Sequence, residues 1–483
     1  MSDTNDDDYR VATTFIKPGH ENYDACRRLC FQSRVLHNVV VYKLRHDYFA
    51  YRNAKAQDPN VNFSKFRISK KDLECYVKKH YAACLQRSCS AAMAQKCVHR
   101  TYDAFQIFVK QVRAKLQAPS NNPKKIGLPG YAKKYSTCVI APNGFRTKDG
   151  FLTITGAENV GLHPIPLDKR VFKDDQGFCP SSDKAIIKEV RFVPFSNGFK
   201  IEVVYDLKKV ASKPQHGLNP DLFMALDIGL TNLVTGITNV IGVPPIIFKG
   251  GKVKSINQWY NKRAAKLKAA ASKKSSSADG KHKHLKAIAG KRYWQLHAIF
   301  HEVSRRLVDF CIIHKIGKLI IGHSKGWKQS INLGKRNNQN FVSVPYNKLI
   351  HLIAYKAKWE GIEVVVREES YTSKASALDF DPMPTYGEKD AEEVTFSGTR
   401  VRRGLFVTSD GRTLNADVNG AINIARKELG DDWLKELVGL YRGCLVNTPV
   451  VLNTTRKSPL QTALTLSGCV AMEIEAATSI GGR

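Results

Sequence analysis

Phe223-Met-Ala-Leu-Asp-Ile-Gly-Leu-Thr-Asn-Leu-Val-Thr-Gly-Ile-Thr238 reads as two apolar strands. The first ends on Asp227, and a turn at Gly229 leads into the second. Short apolar runs without polar alternation belong to strands buried on both faces, which need helices to cover them. The sequence downstream supplies those helices. A long helical stretch over 256–313 is followed by a strand at Lys318-Leu-Ile-Ile-Gly322, a helix over 346–360, a strand over 362–366 and a last helix over 416–429. Strands mixed with helices in this order predict an α/β domain over 221–430.

Upstream the pattern differs. Tyr9 to Ile16 is a solitary strand rich in β-branched and aromatic residues, stopped by Lys17-Pro18-Gly19. From Asn22 to Leu116 apolar residues recur three or four apart, as in helices, with Pro59 in a polar link. Past a Pro- and Lys-rich break at Pro119 to Pro129, short β-type runs alternate with turns up to Leu207. The order predicts a small β-barrel or folded sheet whose first strand is Tyr9 to Ile16, with the helical block inserted in it.

Composition says what the chain meets. Of 483 residues, 76 are Lys or Arg and 43 are Asp or Glu, a formal charge of +33. That excess points to a polyanion. A basic membrane-surface protein is the competing class, but no uninterrupted apolar run approaches the ~18 residues of a membrane span. The start, Met-Ser-Asp-Thr-Asn-Asp-Asp-Asp, is acidic where a secretory signal is basic and then apolar, so an intracellular protein is expected. The 11 cysteines form no C-x-x-C pair and none falls between Ile312 and Gly443, so neither a disulfide framework nor a zinc ribbon is written here.

Three acidic positions carry candidate chemistry. They are Asp227 at a strand end, Glu368-Glu369 after the strand Glu363-Val-Val-Val-Arg367, and Asp417 at the start of the last helix. Each alone reads equally as a turn residue, a solvated strand end or a charge favoured by the helix dipole. If they converge they need a cation, because neighbouring carboxylates raise one another's pKa. Oxygen ligands select Mg²⁺ or Mn²⁺, and two such ions held by carboxylates commonly drive phosphodiester hydrolysis.

The wording around the acids is more specific. D-I-G-L-T-N-L-V-T at Asp227, K-S-I-N-Q-W-Y-N-K at Lys254 to Lys262, Y-T-S-K-A-S at Tyr371 to Ser376 and L-N-A-D-V-N-G-A-I-N-I at Leu414 to Ile424 together resemble the TnpB nucleases of insertion sequences. These are RNA-guided enzymes related to compact type V CRISPR effectors and to Fanzor proteins. The resemblance covers about Leu222 to Glu428 and implies an α/β RNase H-like (RuvC) nuclease domain with an N-terminal β-barrel wedge domain carrying a helical recognition insertion. It implies a tail at 1–8, a first wedge strand within 9–20, a recognition domain over 21–118, a wedge barrel over 119–220, the nuclease over 221–430 and an extension over 431–483. The implied function is cleavage of target double-stranded DNA matched to a bound guide RNA beside a short flanking motif, in a protein encoded by a mobile element. Asp227, Glu369 and Asp417 would hold two Mg²⁺ (or Mn²⁺) ions. The place of work would be the bacterial cytoplasm, at the nucleoid, or the nucleus of a eukaryote.

Two departures from the family pattern stand out. Where most members end the strand matching Lys318-Leu-Ile-Ile on a catalytic Glu, this chain has Gly322-His323-Ser324. Members with that loss carry a relocated glutamate before Y-T-S, here Glu369 or its neighbour Glu368. Adjacent strand residues face opposite ways, and Glu369 is preferred, with Glu368 as a possible accessory. Second, the two C-x-x-C pairs that many relatives carry after Y-T-S are missing from the loop over 375–413. No structural zinc is expected, and hydrogen bonds and packing must hold that loop.

Between Lys252 and Arg292 there are 13 Lys or Arg against one acid, Asp279, with Trp259, Tyr260, Tyr293 and Trp294 at the two ends. Lys252, Lys254, Lys262, Arg263, Lys266, Lys268, Lys273, Lys274, Lys291 and Arg292 are the candidate nucleic-acid contacts within the helical stretch 252–313. Such contacts position a duplex without reading its sequence. Other readings stay open: a CRISPR effector or a Fanzor of the same superfamily, a guided DNA-binding protein whose catalytic cluster has decayed, and a basic structural protein that binds RNA.

Overall fold

A computed structural model describes residues 9–62, 68–82, 90–117, 126–167, 187–206, 216–272, 278–323, 344–384, 394–402, 404–440 and 449–452. The chain forms two compact units, 1–212 and 213–483.

The first unit begins with β1 (Tyr9–Ile16), followed by helices α1 (Tyr23–Gln57), α2 (Lys70–His80) and α3 (Ala91–Gln117). Leu36, Val40, Leu44, Leu73, Val77, Val98, Phe105 and Phe108 bury the apolar stripes of all three helices in one core. β2 (Cys138–Ile140), β6 (Ile187–Phe195) and β7 (Gly198–Asp206) then join β1 in an antiparallel sheet of order β1-β7-β6-β2. β3 (Phe145–Lys148), β4 (Phe151–Ile154) and β5 (Ile165–Pro166) form a separate three-stranded sheet. The helices are inserted after the first strand, as the sequence order suggests. The expected closed β-barrel is not what the described residues form: β1 pairs only with β7 and β2 only with β6, which leaves an open sheet.

The second unit is built on a six-stranded sheet of order β12-β11-β8-β9-β10-β16. Its strands are β8 (Asn219–Asp227), β9 (Asn232–Thr238), β10 (Ile246–Lys249), β11 (Ile316–Gly322), β12 (Glu363–Arg367) and β16 (Val450–Leu452). β8 and β9 are the antiparallel pair expected around Gly229, and β11 lies parallel to β8 and β12. The long helical stretch is two helices, α4 (Gly251–Ser272) and α5 (Ala278–Ile313). They pack with α6 (Tyr346–Trp359) on one face of the sheet around Met224, Leu226, Leu319, Ile321, Phe300, Val303 and Ile353. On the other face α7 (Ala416–Leu429) and α8 (Asp432–Leu440) cover Phe223, Ala225 and Ile320. Alternation along β8 thus sends Met224 and Leu226 to one layer and Phe223 and Ala225 to the other, so the next residue, Asp227, falls on the α7 side. β16 lies in the segment set aside as an extension, yet it pairs in parallel with β10 and completes the sheet. No helix among the described residues is long and apolar enough to cross a membrane.

Candidate nuclease centre

Each candidate carboxylate is placed at or just beyond the end of a secondary-structure element. Asp227 is the last residue of β8. Asp417 lies in the first turn of α7, where the Asn415 side chain caps the helix by accepting from the backbone N–H of Asp417 and Val418. Glu369 follows β12, which runs parallel to β11. A Cβ built on Gly420, one turn along α7 from Asp417, would sit 3.2 Å from Asp227 Oδ2. The helix therefore approaches the strand end where it carries no side chain.

Gly322 shows the same logic on the neighbouring strand. A Cβ there would lie 2.4 Å from Ile424 Cδ1 and 3.1 Å from Glu369 Oε2. The Glu369 carboxylate thus takes up space that a side chain at position 322, at the end of β11, would enter. Glu368 turns elsewhere. It accepts from Ser370 N at 2.7 Å and from Lys427 Nζ at 3.0 Å, and the Ser370 hydroxyl also donates to it. Burial raises its carboxyl, but Ser370 and Lys427 outweigh that and hold it below the ordinary range.

Asp227 feels the other two acids. The Asp227 carboxyl is pushed well above the usual range, first by loss of solvent around it and then by the charges of Asp417 and Glu369, while Arg400 pulls it down. Asp417 Oδ2 accepts from Asn232 Nδ2 at 2.6 Å, and its Oδ1 accepts from Arg400 at 3.3 Å. Even so, among the described residues no group of three or more His, Cys, Asp and Glu side chains closes into a cage that could hold a metal ion as it stands. A buried carboxyl short of solvent, with two further acidic side chains acting on it, offers oxygen donors whose chemistry suits a hard divalent cation.

Hydrogen bonds hold the Y-T-S loop. Asn419 and Asn423, one turn apart on the buried face of α7, are 0% exposed. Asn419 donates to Ala375 O at 2.8 Å and accepts from Ala377 N at 3.0 Å. Asn423 donates to Thr372 O at 2.9 Å and to Ala375 O at 2.7 Å, and accepts from Arg426 at 2.9 Å. Thr372 Oγ1 in turn donates to Glu369 O at 2.9 Å, which ties the loop to the glutamate's own backbone. The Asp381 carboxylate gathers Ser376 N, Ser397 N and Ser397 Oγ. Beyond it, β13 (Thr399–Arg402), β14 (Leu405–Val407) and β15 (Thr413–Leu414) form a small sheet that carries Arg400.

The basic stretch maps onto α4 and α5. Lys252, Lys262, Arg263, Lys266, Lys268 and Lys291 are exposed and Lys254 is half-buried. Lys273 and Lys274 lie outside the described residues. Arg292 is different. It is half-buried, donates to Asn257 Oδ1 at 2.6 Å and stacks over Tyr260 at 5.0 Å, pinning α5 to α4. Lys291 lies over Trp259 at 5.1 Å. Sequence reasoning passed over Asn232, Asn419 and Asn423 as single residues. The signal for the last two was present as amide side chains on the apolar face of an amphipathic helix.

Comparison with known proteins bears on this arrangement. A family described as Cas12f1-like, TNB domain, matches residues 346–424, and one described as OrfB_IS605, probable transposase, matches residues 203–328. A TnpB-like protein, ORF457 of Acidianus two-tailed virus, is 23% identical over 219 residues, spanning 43% of this chain and 42% of that protein. A chain from the cryo-EM structure of a Cas12f1–sgRNA–target DNA complex superimposes with a TM-score of 0.51 at 16% identity, covering 84% of this chain and 83% of its own. A second, from a CRISPR-Cas12f ternary complex, gives a TM-score of 0.32 at 15% identity, covering 83% and 80%.

Proposed function

Because the chain is homologous to the TnpB/Cas12f-like transposon-associated nucleases, with a mixed α/β architecture resembling the RuvC/Cas12f fold, we propose that it is an RNA-guided DNA endonuclease. In this reading the first unit combines the wedge and helical recognition domains, and the second is the nuclease. The partners are a guide RNA and the double-stranded DNA it matches, met inside the cell where that DNA lies. The observation that carries the reading is the approach of α7 to the ends of β8 and β11, where bare backbone at Gly420 faces Asp227 and bare backbone at Gly322 faces Glu369.

Asp227, Glu369 and Asp417 would hold two Mg²⁺ or Mn²⁺ ions. Bound there, such ions neutralise the clustered charge and lower the pKa of a water for attack on a phosphodiester. The protein's own contribution is placement. Asn415 and Asn232 fix Asp417, the α7 asparagines hold the loop that begins at Glu369, and bare backbone at Gly322 and Gly420 leaves room for Glu369 and Asp227. Arg400 keeps one cation at Asp417, and its guanidinium suits the phosphate charge that builds during attack. The exposed lysines of α4 offer sequence-independent contacts to a nucleic-acid backbone, which fits a protein that leaves sequence reading to base pairing.

One observation favours the guided binder without cleavage: the carboxylates do not close into a metal cage. A single experiment separates the readings. The RNA that copurifies is sequenced, and the loaded protein is offered matching DNA with Mg²⁺ or Mn²⁺. A discrete structured RNA with cleavage supports the nuclease. Guided binding without cleavage in either metal supports the binder. An unenriched RNA smear overturns both.

A further inference from the structure

Asn232 closes the D-I-G-L-T-N motif and opens β9, and it is only 7% exposed. Its amide joins two charged groups. Nδ2 donates to Asp417 Oδ2 at 2.6 Å, and Oδ1 accepts from Lys249 Nζ at 3.1 Å. Lys249 arrives there through an irregularity at the end of β10. The register passes from Phe248 opposite Val234 to Lys249 opposite Asn232, skipping Leu233. A bulge of this kind re-aims a side chain beside a site.

The order of donors in this relay is forced. An ammonium has only hydrogens to give, so it must meet the amide oxygen, and an ionised carboxylate has only lone pairs, so it must meet the amide nitrogen. Without Lys249 the amide of Asn232 has no fixed sense, and a flipped amide would set its oxygen against Asp417. With Lys249 present, Asp417 Oδ2 is committed to a short contact. Oδ1, shared with Arg400 at 3.3 Å, is the oxygen from which an incoming cation can displace a weaker partner.

We propose that Lys249 and Asn232 are a positioning pair that sets the carboxylate of Asp417 and so determines how tightly the acidic cluster holds a divalent cation. The inference rests on the reading that Asp417 is a ligand. It also conflicts with simple charge counting. Lys249 brings a positive charge to within one amide of the cluster, so electrostatics alone makes its removal tighten cation binding. Positioning makes the same removal loosen it, since losing an outer partner of a ligating carboxylate typically costs 10–100-fold in metal affinity.

The test is a titration of the full chain, with its copurified RNA, by Mn²⁺, with free ion followed by electron paramagnetic resonance. Asp417→Ala supplies the baseline due to RNA and other sites. Above that baseline, Asn232→Ala is expected to weaken Mn²⁺ binding at least 10-fold, Lys249→Met several-fold, and Lys249→Arg, which keeps a donor, much less. Guided DNA binding in EDTA should be unchanged in all three. If Asn232→Ala misfolds, the two substitutions at the exposed Lys249 decide the matter on their own. If Lys249→Met binds Mn²⁺ as well as or better than the parent, the pair does not position Asp417 and the inference fails. If Asp417→Ala itself titrates like the parent, the metal-centre reading beneath it fails as well.

Discussion

Replacing Asn423 with alanine should cost the nuclease unit about 2.5–4.5 kcal/mol. The side chain is wholly buried and makes three hydrogen bonds, to Thr372 O, Ala375 O and Arg426. Ala375 O keeps its bond from Asn419, so it is not stranded. Thr372 O loses the amide, at about 1–3 kcal/mol for a buried group left unsatisfied. The Arg426 guanidinium loses one acceptor but keeps Asp431 and Asp381 O, so its share is about 1.5 kcal/mol. At about 2–4 °C per kcal/mol for a unit of this size, melting should fall by roughly 10 °C. Function should fall further, because Thr372 also fixes the backbone oxygen of Glu369, and a shift of about 1 Å in a catalytic group can cost about 10²-fold in rate. Differential scanning calorimetry and single-turnover cleavage of guide-matched DNA give the two numbers. A melting point within about 2 °C of the parent, with cleavage within about twofold, would refute the claim that this asparagine latches the loop.

The two adjacent glutamates should separate cleanly. Glu369→Gln should stop cleavage while leaving guided DNA binding intact, whereas Glu368→Gln should cut normally and lose no more than about 1 kcal/mol from its pair with Lys427; the reverse pattern would transfer the metal role to Glu368. Asp227 makes a pH prediction for the protein in EDTA. Its carboxyl is raised in the fold, so its contribution to stability is full below the ordinary aspartate value of about 4 and is lost as pH climbs through the raised value. Asp227→Asn should therefore melt higher than the parent at pH 8 and match it near pH 4, and a constant offset across that range would contradict the assignment. Gly322→Ala should slow cleavage by crowding Ile424 and the Glu369 carboxylate, at about 1–3 kcal/mol in stability; unchanged cleavage would show that the carboxylate does not need that space. Elemental analysis of the washed protein should find well under one zinc per chain, and a stoichiometric tightly held zinc would reveal ligands of another kind than paired cysteines.

Local chemistry was the legible part of the sequence. The strand over Tyr9–Ile16 could be read because Lys17-Pro18-Gly19 ends it, and the helix expected over 416–429 is found there, with Asn415 and Gly430 capping it in the structure. The alternation that sends Asp227 toward α7 is likewise a property of the strand itself. Long-range pairing was not legible. Nothing in Val450-Val-Leu452 announces that it completes a sheet begun two hundred residues earlier, because a three-residue strand carries too little periodicity to identify its partner. That the long helical stretch folds as two helices, with α5 pinned on α4 through Arg292 and Asn257, was not visible in its continuous pattern. The approach of α7 to β8 was visible only as a glycine in a helix, which a one-dimensional reading scores as a weakness.

The placement of β1 sets a timetable for biosynthesis. Tyr9 pairs with Asp206 and Ile16 with Phe199, so this strand, once synthesised, has no partner until the other end of its unit has been made. At about 5–20 residues per second that is a wait of roughly 10–40 s. Helices α1 to α3 are built from local contacts and can form during that interval, but the strand's unpaired N–H and C=O groups remain open to other chains meanwhile. Folding of this unit should therefore depend on translation speed and on holding chaperones far more than its helical content suggests.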